Sequence, residues 1–476
     1  MRNESFTPKT ICQFASAASN KIAFSIFDGK FVLDISYGQF VNDILKTANY
    51  FSERKIVNQH IALLAPNSYD WVVSFFAIIA SGNIAILMNP DLPADILHMQ
   101  CAKADVSLVC GDKQVLLKLE PSIPTLFFED LRTAQQPLHL DAIYCAAPDE
   151  TIMMMFTSGT TGKNKVVEIT SDILLYSMEN YLDQYLLPGM DRILSPTPFY
   201  HVLALMHCIE SLYCLRTVCM GRGIKYLFMD MAALNPTTLN AVPSIVESLT
   251  KLLKNTKSDQ EQQKYIGKKL KTITYGGAAL KQTSIYFLLE MGFSVSAYYG
   301  MTETCGAATW RVLDLNHTED VGKFCKFVQY RFQNNELLIA GPILLKRYYN
   351  DEEETARVVE DGWLHTGDLG FCDKDGSLHL TGRKKNVIIL SNGENVNPEE
   401  VEETIGSCEH ILESMVYSDG KGICADVYTD NQASSEHFIE NYNAIVPTYR
   451  QIYKVYYTNE PLPKTGSGKI KRKENK

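Results

Sequence analysis

Residues 153–165 read MMMFTSGTTGKNK, an apolar run that passes at once into hydroxyls, glycines and lysines. Glycines let backbone amides turn toward an anion, Thr157, Ser158, Thr160 and Thr161 add hydroxyl donors, and Lys163 and Lys165 add positive charge. That combination suits a bound phosphate group, each donor to a charged acceptor contributing about 1.5–3 kcal/mol. The same residue types also make ordinary polar turns. The stretch is not a Walker A motif, which needs GxxxxGK and then serine or threonine at the mouth of a helix. GSGK at 466–469 fails the same comparison, because Pro463 stands where the first glycine belongs and Ile470 where the hydroxyl belongs.

Such a loop needs elements to hold it. TIMMMF before it is apolar enough for a buried strand and VVEIT after it is β-branched, which predicts a hairpin-like loop between two strands. Upstream, IALLAP, DWVVSFFAIIASG and NIAILMN read as strand, helix and strand. This alternation runs from the start to about residue 300 and predicts α/β architecture. The uncharged run at 71–88 approaches the length of a membrane span, but Ser81, Gly82 and Asn83 break it, so it reads as a buried helix followed by a buried strand. Later, GFCDKDGSLHLTGR predicts two short strands around a tight turn at 373–376, and NVIIL a further strand. Beyond RKKN at 383–386, Asn397 is placed to cap a helix, Pro398 to occupy its first turn, and Glu399 and Glu400 to face the positive end of its dipole. A small terminal domain is expected there, ending in KTGSGKIKRKENK.

A chain of 476 residues, 46% hydrophobic and 10% aromatic, has the material for two or more packed domains. Its 45 basic and 55 acidic residues give a net charge of −10, which leaves no pervasive basic field for nucleic acid. Twelve cysteines lack the spacing of a zinc site or a disulfide framework and fit a reducing cytosol. The opening MRNESFTPKT is not followed by an apolar segment of the signal-peptide kind. A cytoplasmic location, without integral membrane association, is the expectation.

A series of motifs then appears in order: FTSGTTGKNK (156–165), PFYH (198–201), YGGAAL (275–280), YYGMTET (298–304), DGWLHTGDLG (361–370), GRKKNVIILSNGENVNPEE (382–400) and LPKTGSGKIKR (462–472). This ordered set resembles the adenylate-forming superfamily of acyl-CoA synthetases, nonribosomal adenylation domains and luciferases, most closely its AMP-forming acid:CoA ligases. The resemblance implies a large N-terminal α/β domain of several subdomains over 1–383, a hinge at 384–386 and a small mobile α+β domain over 387–476. It implies a carboxylate attacking the α-phosphate of ATP to give acyl-AMP and pyrophosphate, after which a thiol displaces AMP. Catalysis of that kind is electrostatic and needs fixed cations and donors rather than a protein nucleophile.

By the same resemblance, Thr157, Ser158, Gly159, Thr160, Thr161, Gly162 and Lys165 guide the β- and γ-phosphates, Thr302 contacts the α-phosphate and Glu303 holds Mg²⁺. Tyr299 faces adenine, Gly276 and Gly277 admit its other face, and Ala278 and Gly300 belong to the same nucleotide site. Asp368 accepts from the ribose hydroxyls, with Arg383 beside it. Lys469 bridges the substrate carboxylate and the α-phosphate, Lys385 is the hinge, and Gly393 lies where a pantetheine thiol passes. The chain departs from the family in having Asn164-Lys165-Val166 where Pro-Lys-Gly is common, and Ser171 where histidine is frequent.

The acid follows from the segment PTPFYHVLALMHC. By the same resemblance, amino-acid-activating members carry an aspartate near PFYH that grips the ammonium, whereas here no carboxylate follows that motif until Glu210, which disfavours an amino acid. Leu203, Ala204, Leu205 and Met206 suit an apolar acyl or aryl wall, or simply a core, and His201 stands at its mouth. The expected substrate is a fatty or other hydrophobic carboxylic acid, and GENVNPEEVEE resembles CoA ligases more than carrier-loading adenylation domains, which favours coenzyme A as acceptor. The alternatives are loading of an acyl carrier protein's phosphopantetheine, or a nucleotide-binding scaffold without turnover.

Overall fold

The structure is a computed structural model that describes residues 8–117, 119, 123–133, 136–157, 165–182, 189–390, 394–464 and 470–473. The predicted alternation builds two sheets. In the first, His60–Leu64 pairs in parallel with Ile84–Leu87, and the helix Tyr69–Ala80 makes the crossover between them. Ser68 starts that helix by accepting from the Trp71 amide, Asp70 sits in its first turn, and residues 71–80 are all buried. A helix apolar on every side belongs inside a core. Among the described residues, no helix is long and apolar enough to cross a membrane. The sheet runs in the order Thr125–Phe127, Leu108–Gly111, His60–Leu64, Ile84–Leu87, Thr151–Phe156, Val166–Thr170. Its last pair is the predicted antiparallel hairpin.

The second sheet has nine strands, in the order Lys323–Phe324, Gly306–Val312, Ser294–Met301, Thr272–Gly276, Thr238–Ala241, Arg192–Leu194, Thr217–Met220, Ile22–Phe27, Val32–Ser36. Its strands from Ser294–Met301 through Ile22–Phe27 are parallel, while Gly306–Val312 pairs antiparallel with both neighbours and Val32–Ser36 antiparallel at the other edge. Parallel strands open a crevice beyond their carboxyl ends. The motif residues Gly276 and 299–303 fall at the carboxyl ends of two neighbours in this sheet. There the chain doubles back so tightly that a Cβ on Gly300 would lie 1.9 Å from the Gly306 carbonyl oxygen, and Cys305 takes a left-handed φ of 49° to make the turn.

An antiparallel sheet of five strands follows, with Trp363–Cys372 pairing with both Glu336–Ala340 and Leu378–Arg383. The first of the two short strands predicted around 373–376 is thus ten residues long and starts at Trp363. NVIIL supplies only the two-residue strand Ile388–Ile389. Beyond it, a three-stranded sheet of Ile411–Ser418, Ile423–Thr429 and Ile452–Thr458 packs with the helices Pro398–Gly406 and Gln432–Ile445 around a separate apolar cluster that includes Val401, Ile405, Val427 and Ile439. The helix at Pro398 begins where expected, but Asn397 does not cap it with its side chain. Its side-chain Nδ2 donates to Glu400 Oε1 at 3.0 Å, and its side-chain oxygen makes no capping bond to the helix amides.

Gly300→Ala forces its new Cβ against backbone that cannot yield. Overpacking of this kind costs about 1–3 kcal/mol, so a lowered unfolding midpoint is expected; an unchanged midpoint contradicts the close approach.

Candidate active site

The loop that ends the Thr151–Phe156 strand is closed at its base. The Thr157 amide donates to the Lys165 carbonyl at 3.0 Å, and the Lys165 amide to Thr157 Oγ1 at 3.4 Å. Ser158, Gly159, Thr160, Thr161, Gly162 and Lys163 lie outside the described residues. The Lys165 ammonium pairs with Glu354 and rests over the Tyr348 ring, 4.6 Å from its centroid. Arg357 above all, joined by Lys165, holds the Glu354 carboxyl down at about 2.

Thr302 and Glu303 sit in a single 3₁₀ turn beyond the strand Ser294–Met301, closed where the Met301 amide donates to Thr304 Oγ1 at 3.1 Å. Thr302 is half-buried and Glu303 buried at 8% exposure. Glu303 Oε1 accepts from the Tyr348 hydroxyl at 2.8 Å, and the Glu303 carbonyl accepts from the Leu345 amide at 2.7 Å. Among the described residues no lysine, arginine or histidine pairs with this carboxylate.

The predicted nucleoside residues form a second group. Gly276 is buried and Gly277, with φ 85°, and Ala278 are exposed at the end of the adjoining strand. Tyr299 is buried, and its hydroxyl donates to Asp368 Oδ2 at 2.7 Å. Burial first, and the Asp368 charge next, push the Tyr299 pKa well up, so it remains a donor. Asp368 Oδ1 meets Arg383 Nε at 2.6 Å. Tyr299 and Arg383 thus hold the two oxygens of one carboxylate in place. Lys385 lies in the electrostatic reach of this group: burial, and then the charges of Arg383 and Lys165, hold its ammonium below the usual lysine range against the pull of Asp368.

His201 precedes the helix Val202–Tyr213, in which Ala204, Leu205 and Met206 are enclosed in the main core. Leu203 is the residue of that apolar run nearest the nucleoside group, its Cδ2 3.7 Å from the place of a Cβ on Gly276. His207 and Glu210 follow Leu203 at helical spacing, and the His207 ring meets the edge of Tyr298 at 5.4 Å between centroids. Reading by motif missed His207, Tyr298, Tyr348 and Glu354. For the first, the 203, 207, 210 spacing was the available signal.

Gly393 and Lys469 lie outside the described residues, though both flanks of 465–469 are tied down. The Leu462 amide donates to Glu413 Oε2 at 2.8 Å, Lys464 pairs with Glu413 Oε1 at 2.5 Å, and Arg472 forms a two-pronged pair with Glu402 at 2.7 and 2.6 Å. Across to the large lobe, Lys281 Nζ donates to the Ile411 carbonyl at 2.6 Å.

Tyr299→Phe removes a donor from a charged acceptor and is expected to lower stability by about 1.5–3 kcal/mol, read as a shift of the urea midpoint. No shift contradicts the Tyr299–Asp368 bond. Burial also holds the His207 imidazole down to about 3, from an ordinary 6.5. Between those values the unfolded chain binds the proton and the folded chain does not, so stability falls as pH drops from 6.5 toward 3. The slope is at most about 1.4 kcal/mol per pH unit. His207→Gln flattens that part of the stability profile; an unaltered slope contradicts a neutral buried imidazole.

The AMP-binding enzyme family matches residues 13–349, and the AMP-binding enzyme C-terminal domain matches residues 385–476. A 2-succinylbenzoate–CoA ligase of Lactococcus lactis is 27% identical over alignments covering 94% of this chain and 97% of the relative. The long-chain-fatty-acid–CoA ligase FadD13 of Mycobacterium tuberculosis is 27% identical, with 86% of each chain covered. The structure of O-succinylbenzoate coenzyme A synthetase (MenE) from Bacillus subtilis in complex with AMP aligns with a TM-score of 0.84 at 22% identity, covering 98% of this chain and 97% of that one. The fold is that of the adenylate-forming enzymes, and with a family match over more than half of its length this chain belongs to the AMP-binding enzymes.

Proposed function

We propose that this chain activates a hydrophobic carboxylic acid with ATP, releasing pyrophosphate to form acyl-AMP, and then transfers the acyl group to the thiol of coenzyme A. The observation that carries the reading is Glu303: a buried carboxylate with one hydroxyl donor and, among the described residues, no cationic partner. An unpaired buried charge is costly, and a cation arriving with a ligand removes that cost. A carboxylate oxygen is the donor that Mg²⁺ selects, so the site fits the ion that the adenylate-forming reading requires. When bound there, Mg²⁺ neutralises phosphate charge as it develops.

The chain's own residues divide the remaining work. Lys165 leaves Glu354 for the triphosphate, and Thr302 donates to the α-phosphate. Asp368, fixed by Tyr299 and Arg383, accepts from the ribose, and Gly276 with Gly277 leaves room for the base. Lys469 supplies the positive charge between acid and α-phosphate, a compact ammonium on a flexible stem being suited to both. A turn of the 387–476 domain about Lys385 then exchanges Lys469 for a thiol passage beside Gly393. The apolar helix after His201 favours a hydrophobic acid. Of the acids named for the two relatives, the long-chain fatty acid falls in that class, and 2-succinylbenzoate joins an aromatic ring to a second carboxylate.

The test is pyrophosphate release with ATP, Mg²⁺ and a panel of aryl and alkyl acids, with products identified as coenzyme A thioesters by mass spectrometry. Acid-dependent release is expected, and silence across the panel overturns the reading. Lys469→Ala is expected to slow adenylation by about 10²-fold or more, the scale of one oriented transition-state donor, while sparing thioester formation from supplied acyl-AMP. Equal loss of both steps contradicts the two-pose scheme.

A further inference from the structure

Tyr348 stands between two charged residues that the motifs mark in distant parts of the chain. Its hydroxyl donates to Glu303 Oε1 at 2.8 Å, and its ring carries the Lys165 ammonium 4.6 Å from the centroid. The side chain is 2% exposed. Its backbone is fastened on two sides: the amide donates to Thr355 Oγ1 at 2.9 Å, and the residue bridges to Val167 in the strand leaving the phosphate loop. A tyrosine held this firmly sets the position of its partners rather than following them. In this bond the phenol O–H is the donor and the carboxylate oxygen the acceptor. Tying one oxygen to a neutral donor leaves the lone pairs of the other for a cation. Lys165, paired with Glu354, rests on the ring face of the same tyrosine, which attracts a cation without neutralising it.

We propose that Tyr348 is the positioning residue of the metal and phosphate half of the site, orienting the Glu303 carboxylate for Mg²⁺ with its hydroxyl and presenting Lys165 to the triphosphate with its ring. The inference rests on the reading of Glu303 as the metal ligand.

Tyr348→Phe keeps the ring and removes only the hydroxyl. Calorimetric titration with ATP, once at saturating Mg²⁺ and once in EDTA, separates positioning from general damage. The expected result is metal-free ATP affinity within about twofold of the unaltered chain, and loss of about tenfold or more of the enhancement that Mg²⁺ confers, the usual scale for a residue behind a metal ligand. An undiminished enhancement overturns the inference, as does equal weakening with and without metal. Glu303→Gln distinguishes the two levels. If it abolishes the enhancement and Tyr348→Phe does not, the positioning role is wrong and the metal reading stands; if Glu303→Gln keeps the enhancement, the metal reading fails and takes the positioning role with it. In the double variant, Tyr348→Phe is expected to add nothing to Glu303→Gln, because the two act as one unit.

Discussion

A carboxylate taken out of water must be given donors by the protein, and one that also has to receive a ligand must not be given too many. Three carboxylates of this chain show how the constraint is met. Glu168, 2% exposed, has Thr151 at 2.7 Å and Arg347 at 2.7 Å, a closed structural arrangement. Asp368, 5% exposed, has Tyr299 and Arg383. Glu303 has a tyrosine hydroxyl alone among the described residues. Glu168 and Asp368 each have a hydroxyl and an arginine, Glu303 a hydroxyl without an arginine among the described residues, and it is at Glu303 that the proposed reaction needs a cation. A neutral phenol suits the task, because it fixes a carboxylate without cancelling its charge.

The fold supplies the separation these charges need. Two parallel strands end side by side, one at Gly276 and the next running on through Tyr299, and because side chains alternate along a strand Tyr298 and Tyr299 face opposite ways. Tyr298 goes to the helix that follows PFYH, against His207, while Tyr299 goes to Asp368 on the five-stranded sheet. One strand therefore sends adjacent side chains to the helix after PFYH and to the five-stranded sheet, and the sharp turn at 302–305 sends Glu303 toward Tyr348. Glycine at 300 is what the turn permits, given the 1.9 Å approach a side chain would face.

Much of this was legible from the chain. Strand, helix and strand over 60–87 and the hairpin around the phosphate loop follow from hydrophobic pattern and β-branched residues, because local periodicity and burial agree there. Segments whose pairing is decided elsewhere read less well. Trp363–Cys372 is ten residues long because it pairs on both sides, and NVIIL shrinks to two paired residues. Asn397 holds the expected position, yet Glu400 takes its amide. The order of the motifs marked Thr302, Glu303, Asp368 and Arg383, and the structure brings 368 and 383 into contact across adjacent strands. Tyr348 and Glu354 were not legible, because neither belongs to a motif and the partners that tie them to the candidate site, Glu303 and Lys165, lie 45 and more positions away in sequence.

The central claim is that the acid's own oxygen attacks the α-phosphate. An acid labelled with ¹⁸O in its carboxylate, incubated with ATP, Mg²⁺ and coenzyme A, reports on that bond directly. The account predicts one labelled oxygen in the AMP released and none in pyrophosphate. Label recovered in pyrophosphate or inorganic phosphate, or AMP formed without label, would contradict it.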